Sequence, residues 1–515
     1  MSFQIVVDLS FLQSNNGLKY ILEPVFEGKS SFEILVEKIS KFEYDKIIFS
    51  DNKELPEDII RSIEKYNFKI YKSNEDIKDF HNFIEELYKF VVSEKSENII
   101  LLYGDYIFLD VQKIEEFISI HNSNLTEYTF GENYVTGIVP EIVTKEFLGK
   151  IKSIPARKPD ILSRRIFDNL EMDINKFFIE VDIAEVDFSM KRIELAPYSK
   201  RNLQLIKNLL KFLSPYEEYR NIYNAIENNP EVLHIYPKYV EIEITNKCNQ
   251  QCIYCPRTIL KRKEENMDFS LYKRIVDELS NTYEDIVLSF TLMGEPLLHP
   301  EFKKFVEYTL KESKIYSLIV ETNGTLLDND IIDFLSKFPL NKLIVIFNIN
   351  SLDEEVYSKL HGSNLFSKVV ENIKKFLTYN DINKYRSFIQ IIKMKDNFYE
   401  IDKFYEYWKK FTDNIIIQKY NNYAGKLIDK NVVDLTPIDR IPCWHLQRDM
   451  EIFVNGDVPV CKQVINDEII VGNIGNSSIK EIWNKMEEYY KDNYLKKYKK
   501  LTLCQKCDEW YTYNF

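Results

Sequence analysis

The seven cysteines of this 515-residue chain fall into two groups, and no cysteine is left outside them. The groups are Cys248-x3-Cys252-x2-Cys255 and the set of Cys443, Cys461 and the pair Cys504-x2-Cys507. Three thiolates held close together can bind three irons of a cubane [4Fe–4S] cluster and leave the fourth iron open, whereas four thiolates can hold a cluster completely. An open iron can bind a substrate or a cofactor, while a closed cluster passes electrons or braces the fold.

Zinc is the alternative occupant of both groups, because Cys-x2-Cys pairs are common zinc ligands. The first group has three thiolates and no nearby histidine, since His234 and His299 lie well outside the loop. Zinc usually takes four ligands, so this group favours an iron–sulfur cluster. Four thiolates suit zinc and an iron–sulfur cluster alike, so the second group leaves both metals open.

Composition excludes several classes of protein. The net charge of −13 argues against a dedicated nucleic-acid-binding protein, which needs a basic face. No run of about 20 apolar residues is present, which predicts no membrane span, and the opening residues MSFQIVVDLSFLQ do not have the pattern of a signal peptide. Seven cysteines in 515 residues are too few for a disulfide-rich secreted scaffold. We therefore expect a cytoplasmic protein, in which thiols stay reduced.

Residues 1–150 alternate short apolar runs with amphipathic stretches, which predicts an N-terminal doubly wound α/β domain. The predicted strands of this domain are residues 3–7, 46–49, 69–71 and 98–103, with a helix at residues 31–39. Ligands of such sheets bind beyond the carboxyl ends of the strands, where Asp105 falls. Residues 151–235 are expected to form a mostly helical connector.

Residues 236–440 show six strand–helix units, which predicts a partial (β/α)6 TIM-like barrel of the α/β class. The predicted strands are residues 240–245, 286–292, 317–321, 343–347, 388–392 and 415–418. The chemistry of such a barrel belongs on the loops at the carboxyl ends of its strands. Residues 441–515 predict a small C-terminal iron–sulfur domain, with a hairpin at residues 452–460 around an Asn-Gly turn and a helix at residues 478–490.

Motifs in the predicted barrel loops resemble those of the radical S-adenosylmethionine (SAM) superfamily. The stretch CNQQCIYC fits the Cys-x3-Cys-x-aromatic-Cys signature of that family, and it follows the first barrel strand. The stretch MGEP from Met293 resembles the family's GGEP loop after the second strand. The stretches ETNGT from Glu321 and NINSLD from Asn348 follow the third and fourth strands, as in the family.

This resemblance implies that Cys248, Cys252 and Cys255 are the catalytic residues, because they would hold the cluster whose open iron binds SAM. The SAM-binding set that it implies, with Lys393 as an alternative to the last member, is Tyr254, Gly294, Glu295, Pro296, Thr322, Asn323, Asn348 and Gln390. One electron passed into the sulfonium would break its S–C5′ bond, and the resulting 5′-deoxyadenosyl radical would abstract a hydrogen atom from substrate. SAM supplies this chemistry, while the protein positions it and excludes water.

The chain departs from the family pattern in three places. Met293 replaces the first glycine of the GGEP loop, Asn348 and Asn350 replace the usual Ser-x-Asp pair, and His361 stands where an arginine commonly precedes glycine. These exchanges put the individual contacts to ribose and carboxylate in doubt. Two structural alternatives stay open, in which Glu295 is a salt-bridge partner and His361 is a surface or helix-end residue.

The second cysteine group, with Gly456, Gly472 and Trp483 between its members, resembles a shortened SPASM/twitch domain. The ligands of its one auxiliary [4Fe–4S] cluster would be Cys443, Cys461, Cys504 and Cys507. Such a cluster would transfer electrons or brace the fold. With the stretches KYNNYAGKL and IPCWHLQRD and its long N-terminal extension, the chain resembles the spirochaete spiro-SPASM proteins. The resemblance to radical SAM enzymes implies an external electron donor such as a flavodoxin or ferredoxin.

Residues 1–150 are weakly similar to GT-A nucleotidyltransferases such as the cytidylyltransferases. The similarity lies in Gly104-Asp105, in Leu109-Asp110 and in the stretch GIVPE from Gly137. In active members of that family the first aspartate holds a metal at the nucleotide phosphates. The usual glycine-rich phosphate loop is replaced by LSFLQSNNG at residues 9–17, so we expect a degenerate binding domain and not an active transferase.

Three hypotheses about function follow. The first is a radical SAM enzyme that modifies a peptide or protein, as many SPASM relatives do. The second is a radical SAM enzyme that acts on a nucleotide-linked sugar or another small metabolite bound by the N-terminal domain. The third is a non-catalytic protein whose cysteines hold zinc, which would be colourless. The barrel motifs argue against the third, and the sequence does little to separate the first two.

Overall fold

The computed structural model of the protein describes residues 3–157 and 164–512. The chain folds into two compact units, residues 1–233 and 234–515. In the two described stretches, no helix is both long enough and apolar enough to cross a membrane.

A mixed β-sheet forms the centre of the first unit. The strands of this unit are β1 (Phe3–Asp8), β2 (Pro24–Phe26), β3 (Lys29–Ser30), β4 (Asp45–Ser50), β5 (Lys69–Lys72), β6 (Asn98–Tyr103), β7 (Tyr128–Glu132), β8 (Glu141–Thr144) and β9 (Ile179–Ile183). The order in the sheet is β5-β4-β1-β6-β8-β7-β9, while β2 and β3 form a separate hairpin. Strands β5, β4, β1 and β6 are parallel, and β8 pairs antiparallel with both β6 and β7.

Helices surround this sheet and bury apolar side chains against it. They are α1 (Ser10–Ser14), α2 (Leu18–Ile21), α3 (Ser31–Ser40), α4 (Glu57–Lys65), α5 (Phe80–Ser93), α6 (Val111–Asn124), α7 (Lys145–Ile151), α8 (Ile166–Asn169), α9 (Lys200–Leu209) and α10 (Tyr219–Asn228). Helix α3 shows why these segments are helical, because Ser30 and Glu33 form a capping box at its start. Phe32, Val36 and Ile39 then recur at helical spacing and join the core.

The predicted N-terminal strands and the helix at residues 31–39 are confirmed to within a few residues. The segment predicted as a connector contains α8 to α10 and also β9, which pairs in parallel with β7. Strand β1 lies between β4 and β6, so the order of the strands reverses there. The carboxyl ends of β1 and β6 therefore flank the crevice in which sheets of this kind bind ligands, and they carry Asp8 and Asp105.

A parallel sheet forms the centre of the second unit. The strands of this unit are β10 (Tyr239–Ile242), β11 (Val287–Phe290), β12 (Ser317–Thr322), β13 (Leu343–Asn348), β14 (Ser387–Lys393), β15 (Ile415–Lys419), β16 (Asp449–Ile452), β17 (Asp457–Pro459) and β18 (Ile470–Asn473). The order in the sheet is β15-β14-β13-β12-β11-β10-β16, and each neighbouring pair is parallel. The predicted fold class, with its partial barrel and N-terminal α/β domain, is confirmed.

The helices that follow the barrel strands bury one face each. They and the helices of the C-terminal segment are α11 (Phe269–Thr282), α12 (Phe302–Glu307), α13 (Asn329–Ser336), α14 (Glu354–His361), α15 (Phe366–Tyr379), α16 (Asp381–Arg386), α17 (Ile401–Trp408), α18 (Trp444–Arg448) and α19 (Ile479–Tyr494). Ile275, Val276 and Leu279 of α11 and Trp483 of α19 belong to one core cluster with the barrel strands. The helix predicted at residues 478–490 is confirmed.

The hairpin predicted at residues 452–460 is wrong. The Asn-Gly turn does form, with the amide of Phe453 donating to the carbonyl of Asp457 at 2.8 Å. The residues before the turn, however, extend the barrel sheet as β16 beside β10, and β17 after the turn pairs antiparallel with β18. The barrel sheet therefore takes its edge strand from the cysteine-bearing C-terminal segment.

Candidate active site

A cavity of about 290 Å³ opens at the carboxyl ends of the barrel strands. The predicted site residues that line it are Cys248, Cys252, Tyr254, Cys255, Gly294, Glu295, Thr322, Asn323, Asn348 and Gln390. Pro296 is buried and begins the short helical turn Pro296–Leu298 directly after Glu295. Loops from different strands thus bring the predicted cysteines and the predicted SAM-binding residues to one place.

The loop that carries Cys248, Cys252 and Cys255 follows β10 and is held against the end of α14. The amides of Gln251 and Ile253 donate to the carbonyls of His361 and Leu360 at 3.1 and 3.0 Å. Burial raises the pKa of the Cys255 thiol to about 11, and burial together with the charge of Cys255 raises the pKa of Cys252. Three thiolates in this position need compensating positive charge, which irons supply, so the residues fit a cluster.

Gly294 lets the next loop pass close to the start of the cysteine loop. Its φ is +83°, and a Cβ built on it would stand 2.1 Å from the carbonyl oxygen of Thr245. The amide of Glu295 then donates to the carbonyl of Lys247 at 2.8 Å. Glycine is required here both by the left-handed backbone and by the close approach of two chains.

The carboxylate of Glu295 joins this loop to the end of β12. It accepts hydrogen bonds from the hydroxyl of Thr322 at 2.6 Å and from the amides of Asn323 and Leu297 at 2.8 and 3.2 Å. These donors are uncharged, so the structure gives Glu295 a hydrogen-bonding role in place of the salt bridge considered above. Burial raises the pKa of Glu295 to about 7.

Glu321 is a cavity residue that sequence reasoning missed as a site residue. Its Oε1 atom accepts hydrogen bonds from the side-chain amides of Asn348 at 3.0 Å and Gln390 at 3.2 Å. Of the two candidates on β14, it is therefore Gln390 that lines the cavity with Glu321. The Oδ1 atom of Asn348 is buried without a hydrogen-bond partner, so this amide retains an unused acceptor.

His361 is buried at the last residue of α14, which confirms its helix-end position and excludes a surface position. Its Nε2 lies 3.0 Å from the carbonyl of Ile349, and its Nδ1 lies 3.4 Å from both the Cys252 sulfur and the Tyr254 hydroxyl. Nδ1 also lies 3.0 Å from Gln250 Oε1, so each ring nitrogen faces a carbonyl oxygen. Burial lowers the pKa of His361 to about 4. Asn350, which donates to the Tyr254 hydroxyl at 2.6 Å, completes this network.

The second group of cysteines lines a separate, mostly apolar cavity. Its four members are Cys443, Cys461, Cys504 and Cys507. Asn493 of α19 connects two of them, because its Oδ1 accepts from the Cys443 amide at 2.9 Å and its Nδ2 lies 3.4 Å from the Cys504 sulfur. Burial raises the pKa of Cys443 and Cys507 to about 12, so this site also needs compensating positive charge.

Lys462 and Glu509 line both cavities and separate them. Lys419 of β15 contacts Glu509 at 2.6 Å and Asp508 at 2.7 Å. Sequence reasoning missed these charged residues, although each of the first two lies within two positions of a cysteine. Across the described residues, no three His, Cys, Asp or Glu side chains converge on a single-ion site. Cluster ligands stand farther apart, since each thiolate binds its own iron.

In the first unit, Asp105 is buried and forms an ion pair with Arg164. The guanidinium of Arg164 also lies over the rings of Phe11 and Tyr198, at 4.5 and 4.6 Å from their centroids. Burial raises the pKa of both Asp8 and Asp105 to about 6. The cation that faces the predicted metal-binding aspartate in this structure is therefore a protein side chain.

Comparison with known proteins agrees with this arrangement. A sequence model of the radical SAM superfamily matches residues 242–407, and a model of the SPASM iron–sulfur cluster-binding domain matches residues 443–508. An uncharacterized protein of Treponema pallidum is 30% identical over 369 residues, which are 68% of this chain and 98% of that protein. An S-adenosyl-L-methionine-dependent 2-deoxy-scyllo-inosamine dehydrogenase of Niallia circulans is 26% identical over 48% of this chain and 81% of its own length.

A solved cytidylyltransferase structure from Leptospira borgpetersenii is 15% identical, with a TM-score of 0.36, over 45% of this chain and 96% of its own.

The first family match spans the strands β11 to β14, and the second spans the four-cysteine cavity. Fold, thiols and matches together define an enzyme that uses SAM with iron–sulfur clusters. The chain belongs to the radical SAM superfamily and carries a SPASM domain. Its cofactors are SAM and two [4Fe–4S] clusters, one that binds SAM and one auxiliary.

Proposed function

We propose that the protein cleaves SAM reductively and uses the 5′-deoxyadenosyl radical to abstract a hydrogen atom from a substrate in the barrel cavity. The observation that supports this is the convergence of three thiols with polar groups from the loops after β11 to β14 in one cavity. When bound, the cluster supplies the electron that breaks the sulfonium S–C5′ bond, which releases methionine. An external flavodoxin or ferredoxin would restore that electron.

The chain's own residues would bind SAM on the side of the cavity nearest the cysteine loop. The loop after Gly294 presents backbone groups there, and Glu295 fixes the positions of Thr322 and Asn323. Asn348 and Gln390 face the same cavity and are both held by Glu321. Tyr254, which is buried and lines the cavity near Cys252, would exclude water from the cluster.

Cys443, Cys461, Cys504 and Cys507 would hold the auxiliary cluster, which would supply an acceptor for the electron left on the substrate after hydrogen abstraction. Its four thiols leave no open ligand position if all of them bind iron, so direct binding of substrate is disfavoured. Lys462 and Glu509 line both cavities, so the two sites share lining side chains. The alternative role, bracing of the C-terminal segment, is compatible with the same contacts.

Two substrate classes are carried forward, a peptide or protein and a small metabolite. The dehydrogenase from Niallia circulans, a relative with a small-molecule substrate by its name, supports the second class. The first unit would act as a binding domain without transferase activity, because Arg164 neutralises Asp105. We retain the finer division of the chain at residues 150, 235 and 440 as part of this proposal.

The test is formation of 5′-deoxyadenosine by anaerobically reconstituted protein with SAM and a reductant, in the presence of fractionated cell extract. Cys255→Ala should abolish cleavage, whereas Cys507→Ala should retain cleavage that is not coupled to product. Stimulation by the small-molecule fraction would favour a metabolite, and stimulation by the peptide fraction would favour a maturation enzyme. Normal cleavage by Cys255→Ala would contradict the proposal.

A further inference from the structure

Glu241 lies inside the barrel on β10, in a layer of polar side chains next to an apolar floor. The floor contains Tyr239, Ile319 and Ile346 on three of the barrel strands. Two residues further along these strands, on the same face, stand Glu241, Glu321 and Asn348. These three polar side chains line the cavity, so the polar layer faces any molecule that is bound there.

One oxygen of Glu241 has no hydrogen-bond donor in the described part of the chain. The side chain is 6% exposed, and its Oε1 accepts a 3.1 Å hydrogen bond from the hydroxyl of Thr291. The second oxygen faces the cavity without such a donor. A carboxylate that is buried to this degree loses most of its water, so an unused acceptor on it is costly unless a ligand supplies the donor.

The cations around this layer contact other carboxylates. Lys419 contacts Asp508 and Glu509 at 2.7 and 2.6 Å, and Arg448 contacts Asp449 at 2.5 Å. Burial raises the pKa of Glu241, and the charges of Lys462 and Arg448 oppose this rise. Lys462 and Arg448 are therefore the two cations whose charge acts on Glu241, and Arg448 is shared with Asp449.

Two further carboxyl groups adjoin Glu241. Glu451 stands beside it in register on β16, and both of its oxygens are buried without a hydrogen-bond partner. Glu321 holds Asn348 and Gln390 through one oxygen. These three carboxyl groups outnumber the two cations, one of which also pairs with Asp449, so this side of the cavity is rich in hydrogen-bond acceptors.

We propose that Glu241 binds an ammonium group of the substrate, and that hydroxyl or amine donors of the same molecule reach Glu321. The inference rests on the proposed function, because it assigns a chemical class to the molecule from which hydrogen is abstracted. In that proposal SAM binds on the side of the cavity nearest the cysteine loop, where the loop after Gly294 presents backbone groups, so Glu241 is left for the second molecule. The amine can come from a small hydroxylated metabolite or from a lysine side chain of a peptide.

The test measures binding of defined probes to reconstituted protein that holds its clusters and SAM. Tris is the cationic probe, and pentaerythritol is its uncharged counterpart, in which a hydroxymethyl group replaces the amine. Ligand-observed NMR at neutral pH should show Tris binding at least about tenfold more tightly, the usual effect of a hydrogen bond to a charged group. Glu241→Gln should remove this preference, whereas Glu371→Gln, the same exchange at an exposed position, should leave it unchanged.

Equal binding of the two probes, no binding of either, or an unchanged preference in Glu241→Gln would overturn the inference. If Glu241→Gln does not retain iron, the preference of the wild-type protein for Tris over pentaerythritol still tests the inference. Glu241→Asp shortens the side chain and moves the carboxylate away from the cavity, so it should weaken Tris binding. Nα-acetyl-lysine methylamide separates the sources, because tighter binding than Tris indicates a peptide amine. Failure of the proposed function is distinct, since the wild-type protein would then bind Tris selectively without forming 5′-deoxyadenosine.

Discussion

The hydroxyl of Thr322 donates a 2.6 Å hydrogen bond to the carboxylate of Glu295, and this bond joins the loop after β11 to the end of β12. The Asn323 amide donates to the second oxygen of the same carboxylate at 2.8 Å. One buried side chain thus sets the spacing of two loops that both line the cavity. The position of the groups that we propose to bind SAM depends on this spacing.

Thr322→Val should weaken SAM binding, because it removes the hydroxyl donor from a buried carboxylate and loosens the joined loops. We expect about a tenfold rise in the Kd for SAM, measured by anaerobic equilibrium dialysis of the cluster-loaded protein. Thr322→Ser, which keeps the hydroxyl, should bind SAM almost as the wild-type protein does. Equal affinity of Thr322→Val and Thr322→Ser would show that the bond does not position SAM.

Gly294→Ala should prevent stable assembly of the first cluster. The added Cβ would stand 2.1 Å from the Thr245 carbonyl oxygen, so the cysteine loop must move. Gly28→Ala is a matched control, because Gly28 also has a positive φ of +77° but no atom within 4 Å of an added Cβ. We expect Gly294→Ala to lose iron after reconstitution and Gly28→Ala to keep it. Full iron content in Gly294→Ala would mean that the loop tolerates the displacement.

His361→Leu should lower retention of the first cluster and disturb its EPR signal. The imidazole stacks on Tyr357 with the ring centroids 4.3 Å apart, and its nitrogens lie 3.4 Å from the Cys252 sulfur and 3.0 Å from the Ile349 carbonyl oxygen. Leucine would remove both polar contacts. His361→Gln is expected to restore much of the iron content, because its amide nitrogen can reach the same carbonyl. Iron content and reduction potential, read together by EPR titration, check this. A merely space-filling role predicts that Leu retains more iron than Gln.

The strands of the second unit were largely predictable, because runs such as Leu343–Asn348 are short, apolar and bounded by turns. Strand β16 was not, since its partner β10 lies some two hundred residues away and a local Asn-Gly turn suggested a hairpin. Pairing between distant strands depends on tertiary packing, which local patterns do not report.

The cysteines and the motif residues could be placed in one site from sequence, whereas the acidic layer could not. Strand β10 contains Glu241 and is followed by Glu243, and both are buried although only the first lines the cavity. Glu243 instead pairs with Arg262 at 2.6 Å. A carboxylate in an otherwise apolar strand indicates that the side chain is buried with a partner. Which residue is that partner depends on the tertiary fold, so the sequence alone does not identify it.

Asn493→Asp should shift the reduction potential of the auxiliary cluster to more negative values. The exchange keeps an acceptor for the Cys443 amide at 2.9 Å but removes the donor to the Cys504 sulfur and adds negative charge. Donors to cluster sulfurs favour the reduced state, so the shift should be on the order of tens of millivolts. Asn493→Gln, which keeps a donor, should shift it less. Equal potentials in Asn493→Asp and the wild-type protein would contradict this role.

Glu141→Gln should remove part of the pH dependence of stability in the first unit. Glu141 accepts hydrogen bonds from the Tyr128 hydroxyl at 2.5 Å and the Ile166 amide at 3.0 Å, and burial raises its pKa from 4.5 to about 7. Because the folded state holds the proton more tightly, this group contributes its stability below about pH 4.5 and loses it as pH rises to about 7. Between about pH 5 and pH 8, the loss should be about 2 kcal/mol.

Hydrogen exchange at the backbone amides of β6 and β8, corrected for its intrinsic pH dependence, measures this free energy within the first unit. The wild-type protein should lose stability relative to Glu141→Gln as the pH rises. Glu141 loses its proton on unfolding in this pH range, whereas glutamine has no such proton. Glu115→Gln, at an exposed position on α6, should follow the wild-type curve. Parallel curves for Glu141→Gln and the wild-type protein would place the titration of Glu141 near 4.5 in both states and would contradict a buried, raised pKa.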